Sequence, residues 1–460
     1  MWYRIPLDTN ALADNVMALR CGLDETLWSV EDTSERCRTA LQGSAGYQDF
    51  DASVSNVLPF DLARAHAFYT ALLGPAQALI KGKHLLVVPS GPLTSLPFGV
   101  LVTAPTRSAA PATFGDYRKA AWLGTRQPIS VLPSVASLAA LRRQAKASAA
   151  VEPFLGYGDP ALTGQAECGQ PIIPDKCPDE DVQVATSGHI LTRGAQALSA
   201  APSYFRNGLA NVSELRKVCP LPDTAYELKC VARSLGAEQS AVVLGAAMTE
   251  TAVKSAPLDR YRIVHFATHG LLAGETAVFM NARAEPALVM SPPAQPTEED
   301  DGLLTASEIA GLKLDADWVV LSACNTAGGK EPGAEALSGL ARAFFYAGAR
   351  ALLVSHWAVN SYAATMLMTR TFAELRNSRT IGRAEAFRGA MLALISDDQR
   401  PWAAHPSAWA PFVVVGEGAE RLAAQSPPAA GGKRRDGLHA SPTPSPDRPD
   451  RWLMFEPPSF

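Results

Sequence analysis

His269 and Cys324 are the two residues of this chain best placed to act on a substrate together. His269 ends the run Tyr261-Arg-Ile-Val-His-Phe-Ala-Thr-His269-Gly270, and Cys324 ends the run Trp318-Val-Val-Leu-Ser-Ala-Cys324. A thiolate attacks a carbonyl carbon far better than a thiol, and a nearby imidazole generates or stabilises it. The same imidazole can then protonate the leaving amine. The oxyanion that forms needs fixed donors. The backbone N–H groups of Gly270, which has no side chain to block approach, and of Cys324 are the candidates. These types in this order support peptide-bond hydrolysis by a Cys/His dyad. No third side chain to orient His269 stands out.

The two runs must be strands for this to work. Ile263 and Val264 precede His265, and Val319, Val320 and Leu321 precede Cys324, so both are short, apolar and rich in β-branched residues. Polar residues at the carboxyl ends of buried parallel strands lie where open α/β sheets form their ligand crevice. Between the runs, Thr305-Ala-Ser-Glu308 has the form of a capping box and opens the apolar stretch Ile309 to Leu314, which predicts a crossover helix. Strand, crossover, strand makes a right-handed parallel unit. Neighbouring strands lie about 4.8 Å apart, so His269 and Cys324 would share one sheet edge. Further apolar runs at Phe154 to Gly156, Ala241 to Leu244, Ala351 to Val354 and Phe412 to Val415 alternate with helical patterns, giving an α/β fold. Glu335 to Tyr346 places Leu337, Leu340, Ala341, Phe344 and Phe345 at helical spacing, with Gly348 positioned to end that helix.

The blocks around His269 and Cys324 resemble the CHAT family of caspase-like proteins, which is related to separases. The likeness continues through Leu85 to Phe98, Val131-Leu-Pro-Ser134, Phe154 to Pro160, Gly333 to Ala349, Ser355-His356-Trp357 and Trp409 to Glu417, in family order. It implies a caspase-like three-layer fold, with a mostly parallel central sheet flanked by helices, and it implies His269 and Cys324 as the dyad. The separation, 324 minus 269 or 55 residues, is close to the roughly 50 of caspases, although the caspase signature around the cysteine is absent. The resemblance also implies a cysteine endopeptidase acting on a protein or peptide substrate and activated by a regulatory partner or ligand. The alternative is a catalytically silent caspase-like scaffold for protein-protein interaction. Ser355, His356, Trp357 and Asn360 form the candidate substrate pocket. Asn360 stands where relatives often carry Asp, so a preference for basic substrates does not carry over.

Composition bounds the rest. The 460 residues are 47% hydrophobic and 19% charged, with a formal net charge of -4, which supports a sizeable core and gives no bulk basicity for nucleic acid. No apolar run reaches the ~18 residues of a membrane span, so no membrane role is expected and the cytoplasm is the default location. Seven cysteines without a C-x-x-C pattern read as reduced thiols. Cys21, Cys37, Cys219 and Cys230 are expected as packing residues, and Cys168 and Cys177 as incidental thiols in a loop from Pro160 to Asp181, with a disulfide between them as the alternative. No metal or cofactor is expected. His265-x-x-x-His269 copies a helical zinc spacing, but on a strand the two lie about 13 Å apart. His265 is therefore read as a hydrogen-bonded core histidine. Gly156-Tyr-Gly158 mimics a dinucleotide fingerprint without room for the helix that must follow.

Three regions are expected: a helical lead-in over residues 1–60, a caspase-like domain over 61–420 and a disordered Pro-rich tail over 421–460. Asn10 to Cys37 and Asp61 to Lys81 show helical character. No 34-residue repeat is apparent, so a partner-sensing module is expected to be missing or supplied by another chain. The acidic run Glu298 to Asp301 reads as a solvated insertion, with a gate or self-processing site as the sharper reading. In the tail, the apolar Trp452 to Phe455 could dock into a groove.

Overall fold

The computed structural model describes residues 3–418 apart from 29–30, 45–46, 48–57, 107–110, 112, 136, 139–141, 143–146, 165–172, 174–175, 178–204, 207–208, 272–284, 324–338, 358–359 and 379. Thirteen strands are defined among these residues. They are β1 (Leu85–Val87), β2 (Ile129–Val131), β3 (Leu155–Pro160), β4 (Phe205–Arg206), β5 (Leu209–Ala210), β6 (Val242–Gly245), β7 (Ile263–Ala267), β8 (Gly270–Leu271), β9 (Ala287–Val289), β10 (Leu303–Thr305), β11 (Trp318–Leu321), β12 (Ala351–Ser355) and β13 (Phe412–Gly416). Eight form the central sheet in the order β1-β2-β13-β12-β11-β7-β3-β6. The last five of these are mutually parallel. β13 runs antiparallel to β12, and β2 and β1 run parallel to β13, so two parallel blocks meet at one antiparallel seam. Every apolar run expected as a strand is one.

Helices cover both faces of this sheet, which is why its strands are mostly apolar on both faces. α1 (Thr9–Cys21), α2 (Glu31–Ala40) and α3 (Leu62–Leu73) precede the sheet. α4 (Pro222–Leu235), α5 (Glu250–Ser255), α6 (Ala306–Ala310), α7 (Gly339–Ala347), α8 (Ser361–Asn377) and α9 (Arg383–Ile395) follow. Successive strand residues point to opposite faces. Ile263, Ala267, Trp318 and Val320 therefore join α1, α3, α4, α8 and α9 in one core. Val264, Phe266, Val319 and Leu321 join α5, α6 and α7 in the other. The fold is the three-layer α/β arrangement with a mostly parallel central sheet expected from the sequence.

Local signals held at several helix ends. Thr305 and Glu308 form the capping box, although α6 is only five residues long. Between β7 and β11 the described part of the connection also carries the antiparallel sheet β10-β9-β8. Gly348 ends α7 with φ of 112°, where an added Cβ would lie 2.2 Å from the Leu314 carbonyl oxygen. α4 begins with Pro222 in its first turn and stops at Gly236 in the left-handed region.

Other expectations need correction. Cys21 is bonded to Cys37, and Cys177 to Cys230, rather than standing as reduced thiols. Cys219 is disulfide-bonded as well. Thiol pairing depends on which segments meet in space, and residue spacing does not report that. Gly156 and Gly158 belong to β3, where an added Cβ would lie 2.9 Å and 2.6 Å from Leu228 of α4, so they let the helix approach the sheet. The acidic run is tied down. Glu250 of α5 accepts from the N–H groups of Asp301, Gly302 and Leu303, and Lys254 donates to the Glu299 carbonyl. Cys168, Cys324 and the tail with Trp452 to Phe455 lie outside the described residues. Among the described residues, no helix is long and apolar enough to cross a membrane.

Candidate active site

β7 carries the histidine to the sheet edge. Beyond Ala267 the chain turns into β8, which pairs antiparallel with β9, Gly270 opposite Leu288. Val289 donates its N–H to the His269 carbonyl, and the Thr268 hydroxyl donates to the Val289 carbonyl at 2.6 Å. In this register Gly270 occupies a non-hydrogen-bonded pair, so its N–H is directed away from β9. The His269 ring is 1% exposed, and its Nε2 lies 2.7 Å from the carbonyl oxygen of Cys219. A carbonyl can only accept, so Nε2 carries the proton and Nδ1 is the basic nitrogen. A main-chain carbonyl thus orients the ring through Nε2.

β11 is the immediate parallel neighbour of β7, with Trp318 opposite Ile263 and Leu321 opposite Phe266. The pairing extends one residue further, where Ser322 donates its N–H to the Phe266 carbonyl at 2.9 Å. Its hydroxyl donates to Glu227 Oε2 on α4 at 3.3 Å. Next, Ala323 is buried and its carbonyl accepts from the Ser355 hydroxyl at the end of β12. Cys324 follows. Three strands and one helix therefore converge on the residues that lead into the proposed nucleophile.

A family model for the CHAT domain matches residues 62–417, well over half of the chain. The chain belongs to the CHAT-domain family. Among curated relatives it is similar to tetratricopeptide repeat protein 28 of Mus musculus, 30% identical over 220 residues, and of Homo sapiens, 27% identical over 220 residues. Each match covers 43% of this chain but only 9% and 8% of those proteins, so it concerns a small part of them. Among solved structures, the Arg specific cysteine proteinase gingipain R has a TM-score of 0.40 at 10% identity, over 76% of this chain and 67% of that one. The complex of Porphyromonas gingivalis RgpB pro- and mature domains has a TM-score of 0.39 at 10% identity, over 76% and 69%.

The four candidate pocket residues of this CHAT domain have partners within the protein. Ser355 holds the Ala323 carbonyl, as above. His356 is fully buried, and burial followed by the charge of Arg20 pushes its pKa down to about 3, so it is neutral. Its carbonyl accepts from Arg20 of α1 at 3.4 Å, which docks the N-terminal helix against this block. Trp357 is buried and donates from Nε1 to the Ser407 carbonyl at 3.1 Å. Asn360 caps α8, its Oδ1 accepting from the Ala363 N–H at 3.0 Å.

Two acids beside the site escaped the sequence reading. Asp159 follows Gly158, which pairs with Ala267 of β7, and it is the one described non-glycine residue with positive φ, at 48°. Its N–H donates to the Thr224 hydroxyl at 2.7 Å. Burial, then the neighbouring Asp223, raises its pKa. Asp223 in turn accepts from the Ser361 hydroxyl. A polar residue closing the apolar β3 run was the available signal, the same signal that picked out His269.

Proposed function

We propose that this CHAT domain is a cysteine endopeptidase that cleaves protein substrates through His269 and Cys324. The observation carrying this reading is the pairing of β7 with β11, whose shared edge holds His269 and Ala323, the residue before Cys324. The Cys219 carbonyl supports it further, since it fixes the tautomer in which His269 can take the thiol proton at Nδ1. That proton would pass to the leaving amine after the thiolate attacks the scissile carbonyl. The N–H groups of Gly270 and Cys324 are our candidates for the oxyanion donors.

His269 is closed off from solvent, so a peptide reaches it only after rearrangement, and we assign that step to a regulatory partner or ligand. Ser355, His356, Trp357 and Asn360 act as supports of the substrate side rather than as direct contacts. The disulfides support an oxidising compartment in place of the cytoplasm expected above.

The test is labelling by a thiol-directed peptide probe together with cleavage of a denatured proteome, comparing the chain with its Cys324→Ala variant. Labelling and new N-termini that vanish in the variant support the peptidase. Equal cleavage by both proteins removes it.

A further inference from the structure

We propose that Glu227 is a positioning residue, a single buried carboxylate that sets how the ends of β7 and β11 stand relative to each other. The proposal rests on the reading of His269 and Cys324 as a dyad. Glu227 of α4 and His265 of β7 are both 0% exposed, and Glu227 Oε1 lies 3.0 Å from His265 Nε2. The other oxygen, Oε2, accepts from the Ser322 hydroxyl at 3.3 Å. One side chain thus touches both strands, four residues before His269 on β7 and two residues before Cys324 on β11.

Such an arrangement is costly in the middle of a hydrophobic layer. The same face holds Leu228, Val231, Ile263 and Val320, and Phe154 presents its ring edge-on to His265. A carboxylate taken out of water is tolerated only when partners compensate it, and apolar residues of similar volume often serve stability as well or better. Register is the best-attested use of a buried polar contact. Register matters here because a slip of one residue between β7 and β11 moves the thiol by about 3.3 Å relative to the imidazole. Misplacement on that scale uncouples a thiol from its base.

α4 is suited to act as the reference. Its approach carries Cys219, whose carbonyl holds His269, three residues before Pro222. Its C-terminal half carries Cys230, bonded to Cys177. Between these anchors sit Asp223, joined to Ser361 of α8, and Glu227. The same helix therefore orients the base directly and both strands through Glu227.

The pH dependence of Cys324 alkylation by iodoacetamide reads this coupling without knowledge of the substrate. It is followed by mass measurement of the Cys324 peptide in the full, unreduced chain. In the wild type, pairing with His269 holds the midpoint well below the ~8.5 of a free thiol. Glu227→Leu is expected to move the midpoint up towards that value and to slow alkylation at acid pH about tenfold, the change in thiolate fraction produced by one unit of pKa. Glu227→Gln, which keeps an acceptor for Ser322, is expected to retain most of the wild-type profile. A folded Glu227→Leu variant with an unchanged midpoint overturns the proposal. If that variant does not fold, Ser322→Ala and His265→Phe replace it, and unchanged midpoints in both overturn the proposal equally. A wild-type midpoint already at the free-thiol value overturns the dyad reading itself, and the role of Glu227 falls with it.

Discussion

The two faces of the β7–β11 strand pair use alternate residues of the same short segments, yet their chemistry is opposite. Val264, Phe266, Val319 and Leu321 meet α7 in a purely apolar layer, where Phe266 stacks on Tyr157 with centroids 5.3 Å apart and leans on Phe344 at 5.6 Å. His265 and Ser322, one residue out of phase, meet the Glu227 carboxylate of α4. Burial is complete on both faces, so solvent does not explain the difference. The apolar face supplies cohesion, since packed aromatics need no directional partner. The polar face supplies direction, since hydrogen bonds hold only over a narrow range of distance and angle.

This division can be broken most sharply at the proposed dyad. His269→Ala is expected to cut kcat/KM by about 10²- to 10⁴-fold and Cys324→Ala to abolish cleavage, both with near wild-type melting. Peptidase assays beside thermal melts check this, and a variant that loses activity only by unfolding would erase the distinction. On the apolar face, Phe266→Ala should cost about 3–5 kcal/mol in urea unfolding while leaving the alkylation midpoint of Cys324 unmoved. A shifted midpoint would mean that packing as well as polar contact sets the dyad.

Removing the Cys177–Cys230 bond by a double Ser substitution should cost up to about 4 kcal/mol, because it frees a loop with a sequence separation of 53. Unfolding with and without reductant measures this. pH separates the faces again. Burial holds His356 and His405 neutral, with pKa values near 3, so their contribution is present above the ordinary value of 6.5 and is lost as pH falls towards 3. Glu250, on the α7 side, is raised by burial to about 7 from 4.5, so its contribution is present below 4.5 and is lost as pH rises through 7. Stability profiles should lose the acid limb in part in His356→Phe and the neutral limb in Glu250→Gln. The smallest effect is expected at the capping box, where Thr305→Ala should cost about 1 kcal/mol.

Much of the frame was legible because its signals are local. β7 and β11 announce themselves as β-branched runs, Thr305 and Glu308 cap within one turn, and Gly348 fits a conformation that other residues resist. The pocket block was less legible, because residue type alone does not say that the Ser355 hydroxyl meets the Ala323 carbonyl. His356 illustrates the same limit. Its type suggests a titrating group, but burial suppresses the charge.

The order of the chain by itself determined which residues could react and which strands would carry them to an edge, since apolar periodicity and residue chemistry are written in consecutive letters. Tertiary structure alone decided what orients the His269 ring. Every residue has a carbonyl, and none advertises that it will meet an imidazole as that of Cys219 meets His269. It likewise chose the disulfide partners and joined Glu227 to strands distant in sequence, because those contacts depend on how helices settle on a finished sheet.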